Sequence, residues 1–176
     1  GRLKRGQLVE RPEELQRDMY AYAIDRLGEA GFEHYEISNF ARPGLRSRHN
    51  EAYWLGHEYF AEGPGAARYV AGVRETNHRS TTTYLQRVLA GGSPVAEREE
   101  LSAEDRARER LVFGLRRLEG VGRNEFRIAT GFEIDTLAGT AVSRFVEQGL
   151  LDDDGDRVRL TREGLMISDA LWPELI

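Results

Sequence analysis

The chain has 176 residues, 40 % hydrophobic and 31 % charged, with a formal net charge of −5. That is enough apolar content for a packed core in one domain or two small ones, and the negative balance disfavours a partner held through phosphates. The absence of cysteine excludes disulfides, thiolate metal sites, cysteine nucleophiles and iron–sulfur ligation by these residues.

No apolar run nears the ~20 residues of a membrane span. No signal peptide is visible, so a cytoplasmic address and no integral membrane segment are expected. The polar start at Gly1, without an initiator Met, is expected of a piece of a longer protein.

Residues 1–11 read as polar and irregular. Pro12 suits the first position of a helix, and Glu13 and Glu14 suit its positive end. Leu15, Met19, Ala23 and Leu27 then recur every four residues, with Tyr20 and Ile24 beside them. The spacing predicts an amphipathic helix over 13–29, stopped at Gly31. Tyr35 and Ile37 alternate with His34, Glu36 and Ser38, which predicts a strand over 33–38. A helix, a short turn and a strand make half of a βαβ unit and imply a parallel sheet. Polar groups at the carboxyl end of such a strand, here Glu36, Ser38 and Asn39, stand where α/β folds keep their sites.

Residues 41–49, ARPGLRSRH, read as a loop turning at Pro43–Gly44. The stretch SRHNEAYW, Ser47–Trp54, crowds Arg, His, Asn, Tyr and Trp into a loop. Gly63 and Gly65 mark a turn feeding a short strand or hairpin at Tyr69–Val73. A short helix is expected over 82–90, then a break at Gly91–Pro94. The composition changes there, which places a domain boundary in 91–101 and divides the chain into 1–92 and 93–176.

The last 75 residues or so read as helices and a hairpin. Ser102, with Asp105 three residues on, caps a helix over 103–118 striped by Ala107, Leu111, Leu115 and Leu118. Helices follow over 123–130 and 134–147. Asp154–Gly155 then turns a hairpin, and Thr161 caps a last helix. Together these describe a winged helix. Such a fold suggests DNA, but the third helix carries Glu133, Asp135 and Glu147 against Arg144. The hairpin opens with Asp152, Asp153, Asp154 and Asp156. A DNA reader needs several cations aimed at phosphates, so a packing or partner module is the better reading, with no nucleic-acid partner.

Four histidines are present, His34, His49, His57 and His78. None pairs with another at the spacing of a helical zinc site, and no protein metal site is expected. The glycine turn could expose N–H groups to an anion, yet it is too short for a phosphate-loop or dinucleotide motif, and a tight turn explains it. His49 stands apart through its company. Imidazole can ligate haem iron, Tyr53 and Trp54 offer flat faces, and Asn50 offers an orienting amide. Arg42, Arg46 and Arg48 could pair with carboxylates. On the residues alone, plain burial of the aromatics in a turn is the better explanation, because aromatics dominate core burial anyway.

One resemblance resolves the choice. The segment MYAYAIDRLGEAGFEHYEISNFARPGLRSRHNEAYW resembles the radical S-adenosylmethionine haem chaperones, relatives of the oxygen-independent coproporphyrinogen III oxidases. It rests on Tyr35–Ala41, Arg42–Gly44, Ser47–Asn50 and Tyr53–Trp54. The H-N-x-x-Y-W pattern separates the chaperones from the oxidases. The glycine turn departs from the family, which usually has His then Ser where Ala67 and Arg68 stand. LSAEDRARERLVFGLRRLEGV and FVEQGLL with RVRLTREGL resemble the family's C-terminal domain.

The resemblance implies the terminal helix–strand piece of a partial (β/α) barrel, followed by a winged-helix-like domain. It implies S-adenosylmethionine and a [4Fe–4S] cluster for the whole family protein, whose three-cysteine loop has no counterpart here. No catalytic residue is therefore assigned, and the chain is not expected to be an enzyme alone. Glu36, Ile37, Ser38 and Asn39, with Gly63 and Gly65, would lie near the cofactor. His49, Asn50, Tyr53 and Trp54 would bind haem, and the partners would be a tetrapyrrole and haem-acceptor proteins. A fragment of a coproporphyrinogen III oxidase and a winged-helix binding module are the alternatives. Strand 33–38 would lack sheet partners, so an exposed edge or a homodimer is expected.

Overall fold

The computed structural model describes residues 11–176, so the expectation for residues 1–10 lies outside the described residues. Helix α1 spans Glu13–Glu29, with Pro12 at its N-cap rather than inside its first turn. Its end is a Schellman motif. Phe32 N donates to Leu27 O and Gly31 N to Gly28 O, and Gly31 takes the positive φ of 81° that this closure needs. The packing face differs from the expected stripe. Tyr20 and Ile24 lie against the core, while Leu15 and Met19 stay exposed.

Strand β1 covers Glu33–Glu36 and pairs antiparallel with β2, Asn39–Ala41. This corrects two expectations. Strand 33–38 stops at Glu36 because Ile37 and Ser38 form the turn, and among the described residues every ladder is antiparallel. The apparent loop after Pro43–Gly44 also resolves differently. Arg48–Trp54 is a helix, α2, whose N-cap Ser47 accepts a hydrogen bond from Asn50 N. It ends in a second Schellman closure, with His57 N on Ala52 O and Gly56 N on Tyr53 O.

Strands β3 (Ala67–Val70), β4 (Val73–Asn77) and β5 (Val95–Glu100) form an antiparallel sheet in the order β3-β4-β5. The β3–β4 loop is Ala71–Gly72, both at positive φ, as a two-residue hairpin turn requires. Helix α3, Thr81–Leu89, fills the β4–β5 connection. Strand β5 lies beyond the 91–94 break yet pairs with β4 along its length.

The main core is built from residues 107–175. Helix α4 spans Ala103–Arg116 and opens with a complete capping box between Ser102 and Asp105. Ala107, Leu111 and Leu115 on it are fully buried. Helices α5 (Arg123–Thr130) and α6 (Ile134–Glu147) match the predicted ranges. They pack Phe126, Ile134, Val142 and Phe145 against α4. Strands β6 (Val121–Gly122), β7 (Leu151–Asp153) and β8 (Arg157–Leu160) form a sheet ordered β6-β8-β7. Thr161 caps α7, Arg162–Met166. Leu171, Trp172 and Leu175 close the core from the C-terminal turns. No helix among the described residues is long and apolar enough to cross a membrane.

One contact sets a steric limit on this core. A Cβ at Gly164 would stand 1.9 Å from Leu150 O and 2.8 Å from its carbonyl carbon, so α7 sits directly on the backbone after α6. Gly164→Ala is expected to cost about 3 kcal/mol or more, the upper end of overpacking penalties, because backbone must move. Gly131→Ala meets nothing within 4 Å at a φ of 79°, and about 1–2 kcal/mol is expected there. Urea unfolding of the two variants side by side checks the order.

Candidate functional site

The end of β1 is built around a buried acid. Glu36 is 0 % exposed. Its Oε2 accepts from Ser38 N at 3.0 Å and from the Asn39 amide. Its Oε1 accepts from Arg116 Nη2 at 3.0 Å. One carboxylate thus shapes the β1–β2 turn and joins it to the last residue of α4. Ile37 N donates to Arg116 O at 3.1 Å, so backbone reinforces the same junction. Asn39 Oδ1 then accepts from Asn50 Nδ2 at 3.4 Å, which carries the network onto α2. Tyr35 stands beside it, its hydroxyl accepting from Ser47 N.

Arg116 also stacks. Its guanidinium carbon lies 4.5 Å from the Trp54 ring centroid, within cation–π range. The Arg116 Nε and the Trp54 indole N–H are both buried without a partner among the described residues. Nothing near Arg116 in the sequence marks it, because its acid lies 80 positions away. A helix C-terminal Arg reads as a dipole partner and no more.

A second group of contacts lies behind the turn. Tyr20 donates to Ile37 O, and His34 Nε2 lies 3.0 Å from the same oxygen. His34 stacks on Phe40 at 4.2 Å between centroids. Burial, followed by the nearby Glu36 charge, pushes the Tyr20 hydroxyl up to about 12. Burial holds the His34 imidazole below its usual value, against the opposing pull of its bond to Ile37 O.

The four residues of the H-N-x-x-Y-W pattern part company on α2. His49 is exposed, and its Nε2 lies 3.2 Å from the Tyr53 hydroxyl one turn later. Asn50 turns to Asn39. Tyr53 and Trp54 line a cavity of about 580 Å³ between α2, the β3–β4 hairpin and α4. Tyr53, Tyr59 and Tyr69 form an aromatic run, with centroids 4.5 and 6.2 Å apart. Burial raises the hydroxyls of Tyr59 and Tyr69, which marks a poorly solvated wall. Phe113 from α4 adds another ring, 6.1 Å from Trp54.

The glycine turn is occupied with its own structure. Gly63 and Gly65 have φ of 105° and 70°. Gly63 N donates to the Tyr84 hydroxyl and Gly65 N to His78 O, while Gly63 O accepts from Asn77. These bonds tie the turn to β4 and α3. Among the described residues no cluster of three or more metal-ligating side chains occurs.

Comparison with known proteins gives these features a family. Residues 101–167 match the HemN C-terminal domain. A protein named "Heme chaperone HemW" from Bacillus subtilis is 30 % identical over 170 residues, covering 97 % of this chain and 45 % of its own length. A protein of the same name from Lactococcus lactis is 33 % identical over 178 residues, covering 99 % and 46 %. The chain belongs to the radical S-adenosylmethionine haem chaperone family. It matches the C-terminal portion and spans less than half the length of these curated relatives. A solved structure, the Escherichia coli coproporphyrinogen III oxidase HemN, described as a radical SAM enzyme, superposes with a TM-score of 0.71. It has 15 % identity and covers 90 % of this chain and 40 % of that one, which establishes a shared mixed α/β fold.

Two outcomes test this geometry. Arg116→Met leaves Glu36 buried without its cation. A loss of about 3 kcal/mol in urea unfolding is expected, and the Glu36→Gln/Arg116→Met pair should lose less than the two single changes summed. The lowered His34 value means that the folded state favours neutral imidazole. Its stability contribution is complete above about pH 6.5 and is lost as pH falls through the folded value. His34→Gln is expected to flatten the fall in stability below pH 6.5, read by denaturant midpoints at stepped pH.

Proposed function

We propose that this chain is the haem-handling C-terminal part of a radical S-adenosylmethionine haem chaperone, taking up a tetrapyrrole and passing it to acceptor proteins. The relatives that span nearly all of it carry the name heme chaperone. The observation that carries the reading is the arrangement on α2. An exposed imidazole, His49, stands one turn ahead of Tyr53, and Tyr53 and Trp54 open onto an aromatic cavity. An exposed imidazole suits an iron ligand, since its nitrogen is held only by a rotatable phenol, and the adjoining rings suit a flat ligand. Haem bound there would supply the iron that His49 ligates. Asn50, held by Asn39 and by the Ser47 cap, would keep the helix face in place.

Glu36, Ile37, Ser38 and Asn39 would form the floor beside the cofactor at the mouth of the last barrel strand. Gly63 and Gly65 would fix the neighbouring turn. The [4Fe–4S] cluster finds no ligand set here, because the chain has no thiolate, and no step is assigned through it. In the same reading the last 75 residues are a winged-helix-like module used for packing, and the protein works in the cytoplasm.

Haem titration into the protein and into His49→Ala tests the reading. The wild type should show a Soret shift that saturates, and His49→Ala should lose it. Equal shifts for both would remove His49 from the role.

A further inference from the structure

The three arginines that line the aromatic cavity are not equivalent. Arg74 is committed to Glu99 and Glu109. Arg106 gives one guanidinium nitrogen to Leu101 O. Arg110 is half-buried, and among the described residues its guanidinium takes part in no hydrogen bond or ion pair. The two lining carboxylates are both engaged, Glu109 with Arg74 and Glu58 with Ala71 N at 2.7 Å. Of the three, Arg110 is therefore the guanidinium left without a protein partner among the described residues.

Its position is a consequence of the chain path. The Schellman closure of α2 puts Gly56 at a φ of 67°. Arg110 Nη1 lies 3.3 Å, and Cγ 3.8 Å, from where a Cβ on Gly56 would stand. The missing side chain leaves the arginine room beside Trp54. A guanidinium that lines the cavity with its nitrogens neither buried nor bonded to protein is available to a ligand carboxylate, which it can hold in a two-pronged bond. At about 580 Å³, with rings on several sides, the cavity has the size and lining of a small-molecule site.

We propose that this cavity binds a planar aromatic carboxylate, with Arg110 as the anchor of the acid group and Trp54, Tyr59 and Phe113 as the flat wall. Resting on the haem-handling reading above, the ligand is the tetrapyrrole itself, and Arg110 takes a propionate. Arg110 is then a specificity residue. It separates porphyrins bearing free acids from their esters, independently of the iron that His49 would ligate.

Metal-free protoporphyrin IX tests this without an axial ligand, by its fluorescence change on binding the purified protein. Arg110→Gln should weaken binding roughly tenfold, the loss of one charge-assisted hydrogen-bonded contact. Arg110→Lys should recover part of it. The dimethyl ester should bind wild type and Arg110→Gln alike. Circular dichroism confirms that both variants are folded. Equal protoporphyrin affinity in wild type and Arg110→Gln overturns the proposal. So does an absence of protoporphyrin binding where haem still gives a His49-dependent Soret shift, and the haem-handling reading then stands alone. Arg110-dependent protoporphyrin binding with a Soret response indifferent to His49 supports the cavity and removes the axial role.

Discussion

A fully buried carboxylate must find donors for its oxygens or destabilise the fold that buries it. Glu36 finds three of them in two distant parts of the chain. Ser38 N and the Asn39 amide close the β1–β2 turn around Oε2, and Arg116 from α4 reaches Oε1. Because Arg116 also stacks on Trp54, the strand end, the aromatic end of α2 and the C-terminal core share one electrostatic centre. Asn39 extends it to Asn50. The same network thus touches α2 at two points, Asn50 and Trp54.

That centre also explains why the two halves of the chain are hard to separate. The match to the HemN C-terminal domain begins at residue 101, yet Arg116 inside it completes a network begun at residue 36. Leu118 N donates to Tyr35 O, and Ile37 N to Arg116 O. A family boundary follows where sequence similarity starts. The energetic boundary follows where buried charges are neutralised, and here the two do not coincide.

Local signals were legible in the sequence where local physics decides. Helix α1 and helices α5 and α6 match their predicted ranges, since apolar spacing and glycine stops lie within each segment. The Ser102–Asp105 capping box needs only four residues and is present in full. Strands β2 and β5 were not legible. Asn39–Ala41 is too short to show alternation, and VAEREE is almost entirely polar because β5 is half-buried at Val95 alone. Helix α2 is masked in the sequence by its dense polar and aromatic content, although Ser47 is a good N-cap. In the site, His49, Asn50, Tyr53 and Trp54 were singled out by their residue types. Their division between surface, network and cavity was not, because it depends on which face of a seven-residue helix meets α4. Arg110 and Arg116 carried no signal, as their neighbours come from distant segments.

The three-stranded sheet ends on two edges that are treated differently. On the β3 side, Tyr59 pairs with Tyr69 as an isolated bridge, which occupies part of the free backbone. On the β5 side the edge strand carries Glu97, Arg98, Glu99 and Glu100. A row of charges there makes each copy a poor template for another, because docking a second strand would strip water from four ionic groups at once. The polar sequence that hid β5 from view is thus a safeguard against aggregation, built into the one sheet that walls the aromatic cavity.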